Sequence, residues 1–201
     1  MQAPLLLASS SPYRRALMKR LALPFVTASP DIDESPLARE SASALAGRLA
    51  TEKAAALAGA YPGHWIIGSD QVASLEDGQQ LTKPGNLSSA TAQLTRSSGQ
   101  VVTFFTGLTL LDADTGRQQT HCETFSAHFR ELCPQEIEHY LRAEQPFDCA
   151  GSFKMEGLGI TLFRSLEGRD PNSLVGLPLI ALTDMLRNWG LNPLLTANHR
   201  H

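Results

Sequence analysis

The sequence predicts an α/β fold built on a mixed β-sheet. Three observations carry that prediction. Short apolar runs that read as strands alternate with segments of helical propensity. Hairpin signals gather in the middle third. No repeat, low-complexity tract or linker divides the chain, so residues 1–195 read as a single domain and 196–201 as a C-terminal tail.

Each element has its own signal. Leu5 to Ala8 is a short buried strand. Ser11 is a good N-cap and Pro12 suits the first helical position, so a helix is expected from there to about Leu21. ALPFVTAS (22–29) reads as a second strand, ended by Pro30 and the acidic DIDE stretch. Residues 41–61 are helical by propensity, and HWIIGSD is a strand ending on Asp70. QVASLEDGQQL reads as a hairpin turning at Asp77-Gly78.

Residues 88–99 form a helix, and 101–132 supply two or three strands with a turn at Thr115-Gly116. Pro134 starts a helix that runs to Ala143. GSFKMEGLGITLF (151–163) reads as a glycine-broken strand region and EGRDPNSLVGLP (167–178) as a loop. Leu177 to Trp189 closes the chain as a helix.

The bulk numbers exclude several classes. With 201 residues, 42% hydrophobic and 18% charged, the chain is an ordinary globular protein and not a disordered one. A net charge of −3 gives no bulk attraction to polyanions, which argues against binding a nucleic-acid polymer. No apolar run approaches the roughly 18 residues of a membrane span, and the first residues lack a signal-peptide pattern. Cys122, Cys133 and Cys149 form no CxxC pair and read as reduced thiols, so a cytoplasmic location is expected. Nothing local supplies an activating base for Cys149 as a nucleophile.

Certain polar residues conflict with their local pattern. On the helix of residues 41–61, Leu45, Leu49, Ala56 and Leu57 define the apolar stripe and Lys53 lies on it. A lysine there either snorkels to the edge or points into a cleft at an anion. Asp70 follows a buried apolar run, at the carboxyl end of a strand, where α/β folds place ligands. It is either a turn cap or a general base or metal ligand. Asp31, Asp33 and Glu34 form either a solvated acidic loop or part of a site for a hard cation. Lys83 sits in an extended TKPG loop, where a surface lysine is the default. In ASSSPYRR a strand, a serine turn and a helix N-terminus make a set of free N–H groups suited to phosphate, which Arg14 or Arg15 completes. Without GxxxxGK[ST] or GxGxxG spacing, neither a P-loop nor a dinucleotide site is indicated.

Taken in order, ASSSPYRR, DIDE, Glu52-Lys53, GSDQV, KPGN, FFTGL, GSFKMEG and GRDPNSLVGLPL resemble the Maf family over nearly the whole chain, from Leu5 to about Leu195. The resemblance implies an elongated mixed β-sheet with flanking helices and a central cleft, similar to the inosine triphosphatase type. It implies a nucleoside triphosphate pyrophosphatase, and within the family the YceF-like branch associated with 7-methyl-GTP. By the same resemblance Asp70 is the catalytic proton acceptor. Ser9, Arg14, Lys53 and Lys83 surround the triphosphate, and Glu34 and Asp70 hold a divalent cation, Mg²⁺ or Mn²⁺. Tyr13, Gln71 and Glu156 fall at the specificity positions, where Tyr13 replaces the branch's usual tryptophan. A small-molecule nucleotide substrate and a homodimer are the implied partners. GRDPNSLVGLP reads as a cleft wall, with Asp170 outside the catalytic set.

Overall fold

The computed structural model describes residues 3–196, so most of the expected tail, beyond Thr196, lies outside the described residues. The element order is β1 (Leu5–Ala8), α1 (Pro12–Lys19), β2 (Phe25–Ala28), α2 (Ala42–Ala58), β3 (Trp65–Leu75) and β4 (Gln80–Leu81). There follow α3 (Leu87–Ser97), β5 (Val101–Asp112), β6 (Gln118–Phe129), α4 (Pro134–Glu144), β7 (Phe163–Gly168), α5 (Leu179–Asn188) and α6 (Pro193–Thr196).

The seven strands form one mixed sheet in the order β2-β1-β3-β5-β6-β7, with β4 paired to β3. β1 is parallel to β2 and β3, whereas β3–β5, β5–β6 and β6–β7 are antiparallel. The fold is therefore α/β with a mixed sheet, as the alternation of elements predicts. Among the described residues no helix is long and apolar enough to cross a membrane.

Long central strands give the sheet its shape. β3, β5 and β6 have 11, 12 and 12 residues, about 35–40 Å each at roughly 3.3 Å per residue. One face at one end carries α1 and α5 on a core that includes Leu7, Met18, Ile67, Leu108 and Leu182. The same face at the other end carries α3 and α4 on a core with Leu94, Phe104, Phe129 and Leu141. α2 lies across the opposite face, against β3 and β5.

Two local expectations need correction. Asp70 does not end a strand: the pairing of β3 with β5 runs from Trp65 to Leu75 without a break. What ends near Asp70 is the neighbour β1, whose last pair is Ala8 with Gly68. β3 therefore has an open edge between Gly68 and Ala73, where β4 begins to pair. Residues 151–163 do not form a broken strand. They make short 3-10 turns at Ala150–Ser152 and Leu158–Leu162 before β7 begins at Phe163. Gly151 and Ser152 have positive φ, which a strand cannot hold.

Candidate active site

The open edge of β3 is the floor of a cavity of about 610 Å³. Successive strand residues point to opposite faces, so Asp70 and Gln71 address the two sides of the sheet from one edge. The cavity wraps around that edge. It is lined by all nine residues that the resemblance implies for the site: Ser9, Tyr13, Arg14, Glu34, Lys53, Asp70, Gln71, Lys83 and Glu156.

On the α2 side, Lys53 is 6% exposed and Asp70 8%. The Lys53 Nζ donates to Asp70 Oδ1 at 2.6 Å and lies 2.5 Å from Glu34 Oε1. Lys53 thus points into the cleft and does not snorkel. The buried stripe of α2 is Leu45, Ala46, Leu49, Ala50, Lys53 and Ala54. Ala56, expected on that stripe, is exposed. At about 3.6 residues per turn Ala56 falls beside that stripe, whereas Leu57 stays on it and packs against the core with Ala54 and Ile66.

Two glycines bring α2 this close. A Cβ on Gly107 would lie 2.0 Å from the Ala46 carbonyl oxygen, and one on Gly68 would lie 2.0 Å from that of Ala50. Gly107 pairs directly with Asp70 across the strands. Without side chains at these two places, the backbone of α2 settles onto the sheet and Lys53 reaches Asp70. Sequence reasoning missed both roles, although a glycine inside a strand pattern signals close backbone approach.

Of the acidic loop, only Glu34 reaches the site. Asp33 accepts from Ser35 N at 2.9 Å, and Asp31 is exposed. Burial acts to raise the Glu34 carboxyl. The hydrogen bond and charge of Lys53, with Lys83 and Arg14, outweigh it and hold the group below the ordinary carboxylate range. Arg48, also missed, ties this loop to α2 by gripping both Glu40 oxygens at 2.7 and 2.8 Å and the Ser35 carbonyl at 3.0 Å. That fork pulls the Glu40 carboxyl down to about 2.

On the other side lie α1 and the turn at Pro171–Val175. Ser11 caps α1 by accepting from Arg14 N at 3.3 Å, and Ser9 Oγ accepts from Ser11 N at 3.1 Å. Among the described residues the Ser10 and Tyr13 N–H groups make no such bond, so they are the donors left for an anion. Arg14 Nε donates to the Gly176 carbonyl at 2.7 Å, and Ser69 Oγ donates to the same oxygen at 2.9 Å. Burial pushes the Arg14 guanidinium below its ordinary value, with Asp70 and Glu34 pulling back against it. It remains a cation. Arg15 is exposed and does not line the cavity.

Gly176 adopts φ +104°, and a Cβ there would stand 3.1 Å from Arg14 Nε. The turn needs glycine for its backbone, and Arg14 needs the space. Asp170 anchors the turn. Its buried carboxylate accepts from Asn172 N at 2.9 Å, Asn172 Nδ2 at 2.7 Å and Ile180 N at 2.7 Å. Asp170→Ala is expected to cost about 3 kcal/mol, because it removes three hydrogen bonds to a buried carboxylate and leaves two backbone N–H groups and the Asn172 amide without that partner. A lower urea midpoint at unchanged m checks this.

At the cavity's rim, burial pushes the Tyr13 phenol up, helped by Cys149 and Asp148 beside it. The Cys149 thiol is pushed up to about 12 by burial and then by Asp148. A thiol so hard to ionise is no nucleophile at neutral pH. Lys83 is exposed and makes no ion pair among the described residues, leaving its charge for a ligand. Glu156 is exposed on the wall formed by the segment after the first 3-10 turn.

The donor set can be tested against a divalent cation. Asp70 and Glu34 each give one oxygen to Lys53, and their second oxygens, Oδ2 and Oε2, make no hydrogen bond among the described residues. Among the described residues no group of three or more His, Cys, Asp or Glu side chains could hold a metal by itself. Two hard carboxylates beside cationic phosphate anchors suit a cation whose remaining ligands are phosphate oxygens and water, the habit of Mg²⁺.

The chain is 61% identical over 188 residues to the 7-methyl-GTP pyrophosphatase of Pseudomonas savastanoi pv. phaseolicola, covering 94% of this chain and 97% of that protein. It is 60% identical, at the same coverage, to the 7-methyl-GTP pyrophosphatase of Pseudomonas syringae pv. tomato. Residues 4–189 match the family described as Maf-like protein. The chain belongs to the Maf-like protein family.

Proposed function

We propose that this protein hydrolyses the bond between the α and β phosphates of 7-methyl-GTP, giving 7-methyl-GMP and pyrophosphate. The observation that carries the reading is the identity of 60–61% over 94% of the chain to 7-methyl-GTP pyrophosphatases. The cavity supports it, because one edge of β3 brings a carboxylate, three cations and a helix N-terminus together.

Positioning and electrostatics dominate phosphoryl-type displacement. Arg14, Lys53 and Lys83 neutralise the triphosphate and the departing pyrophosphate. Ser9 and the free N–H groups of Ser10 and Tyr13 bind phosphate oxygens at the start of α1. Lys53 has three ammonium hydrogens and uses two, so a phosphate oxygen can take the third without releasing Asp70. Asp70 keeps Oδ1 on Lys53 and accepts the proton of the attacking water at Oδ2. Glu34 and Asp70 are the residues that would hold a divalent cation, Mg²⁺ or Mn²⁺. Such an ion supplies charge neutralisation and lowers the pKa of a bound water.

The base is read by Tyr13, Gln71 and Glu156. A guanine methylated at N7 is formally cationic, and an aromatic face is worth about 0.5–2 kcal/mol against a cation. Glu156 accepts hydrogen bonds from the N1–H and 2-amino edge and adds opposite charge. The test is pyrophosphate release from 7-methyl-GTP, GTP, ATP, CTP, UTP and dTTP with Mg²⁺ or Mn²⁺. The highest kcat/KM is expected on 7-methyl-GTP, and equal values on 7-methyl-GTP and dTTP would sink the substrate reading.

A further inference from the structure

Gln71 meets the base cavity with one end and the protein with the other, and its neighbours decide which end is which. Gln71 and Thr106 are paired residues of β3 and β5, so the backbone sets them side by side. The Gln71 amide lies 2.6 Å from the Ser173 carbonyl oxygen and 3.2 Å from Thr106 Oγ1. A carbonyl can only accept, so the end facing Ser173 must be the NH₂ group. Thr106 is fully buried and has one hydroxyl proton, which goes to that same carbonyl at 3.0 Å. Its oxygen is then a further acceptor for the Gln71 amide. Ser173 O and Thr106 Oγ1 lie on the same side of the amide nitrogen, which sets the NH₂ end against the protein and leaves the oxygen end for the cavity.

The Ser173 carbonyl is itself held in place. Ser173 donates through N at 3.0 Å and through Oγ at 2.6 Å to the Asp170 carbonyl. Turning the Gln71 amide over would set two acceptors against each other at hydrogen-bond distance.

We propose that Thr106 is a positioning residue that locks Gln71 with its amide oxygen toward the cavity, so that this position reads a hydrogen-bond donor on the base. The inference rests on the reading of the protein as a 7-methyl-GTP pyrophosphatase. Guanine presents donors at N1 and the 2-amino group, whereas an adenine or cytosine seated with its ring N1 or N3 at Gln71 sets two acceptors against each other, its amino donor lying one position away on the edge. Uracil and thymine carry a donor at N3, so this device separates guanine from adenine and cytosine. Rejection of uracil and thymine falls to the other groups of the cavity.

The experiment compares kcat/KM for 7-methyl-GTP, ATP and UTP in the wild type, Thr106→Val and Thr106→Ser. Thr106→Val keeps the shape and removes the hydroxyl. It is expected to lower the 7-methyl-GTP to ATP ratio by about tenfold, through KM, and to leave the 7-methyl-GTP to UTP ratio within about twofold. Thr106→Ser keeps the hydroxyl and is expected to restore the wild-type ratios. A merely structural role would lower all three substrates together, and folded Thr106→Val with unchanged ratios overturns the proposal. Should Thr106→Val fail to fold, Gln71→Leu stands in: an unchanged 7-methyl-GTP to ATP ratio there overturns it equally. A wild type that does not prefer 7-methyl-GTP overturns the underlying reading instead, so the two failures are distinct.

Discussion

Asp70→Asn is expected to lower kcat on 7-methyl-GTP by about 10²–10⁴-fold, the usual contribution of a positioned general base. Asparagine keeps the shape and an oxygen for Lys53 but gives up the basicity. Lys53 retains its pair with Glu34 at 2.5 Å, so the ammonium is not stranded in the cleft and the fold should survive. Single-turnover kinetics and nucleotide titration separate the outcomes. The loss should appear in the chemical step, with nucleotide affinity changed by no more than about threefold. Turnover within threefold of the wild type would remove Asp70 from the role of proton acceptor. Asp70→Ala is the poorer probe, because it deletes the partner of a nearly buried lysine and mixes stability with chemistry.

Gly107→Ala is expected to have the largest effect on stability, about 3 kcal/mol or more. The added methyl carbon would lie 2.0 Å from the Ala46 carbonyl oxygen and 2.9 Å from Gly47 N. Both are backbone atoms of α2, so no side chain can rotate away and the whole helix must lift. Overpacking of this kind typically costs about 1–3 kcal/mol, and rigid backbone on both sides places this case at the upper end. α2 also carries Lys53. A shift of about 1 Å there is expected to reduce turnover by about a hundredfold in whatever protein remains folded. Gly47→Ala is the matched control. It lies inside the same helix, nothing stands within 4 Å of its added carbon, and alanine is the better helix former by about 1 kcal/mol. Denaturant melts should therefore move in opposite directions for the two variants. Equal melts would show that contact with α2 does not set the need for glycine at 107.

The residues that define the site were legible where the signal was local. The serine cap, Pro12 and the arginine pair announced the turn into α1. Lys53 announced itself as a charge on an apolar stripe. The position of Asp70 was only half legible, because WIIGSDQVASL is one continuous strand and nothing within it marks a boundary. The opening arises from β1, which stops at Ala8 and leaves the edge of β3 bare. That is a property of the neighbour and not of the segment. Arg15 and Arg14 could not be separated by pattern alone; packing under Gly176, 162 positions away, selects Arg14. The segment 151–163 misled because its glycines and aromatics suit a strand, while positive φ at Gly151 and Ser152 turns the chain instead. Its aromatic Phe153 is buried in the core against Phe104, Phe129 and Phe163. The anchoring roles of Arg48 and Asp170 depend on loop partners that only the folded chain brings together.

The most direct test of the central claim is to identify the products formed from 7-methyl-GTP in the presence of Mg²⁺ or Mn²⁺. Chromatography with a phosphate-specific assay should show 7-methyl-GMP and pyrophosphate in equal amounts, at a kcat/KM above that for GTP, UTP and dTTP. Release of 7-methyl-GDP with inorganic phosphate, or no turnover of 7-methyl-GTP by the wild-type protein, would contradict the account.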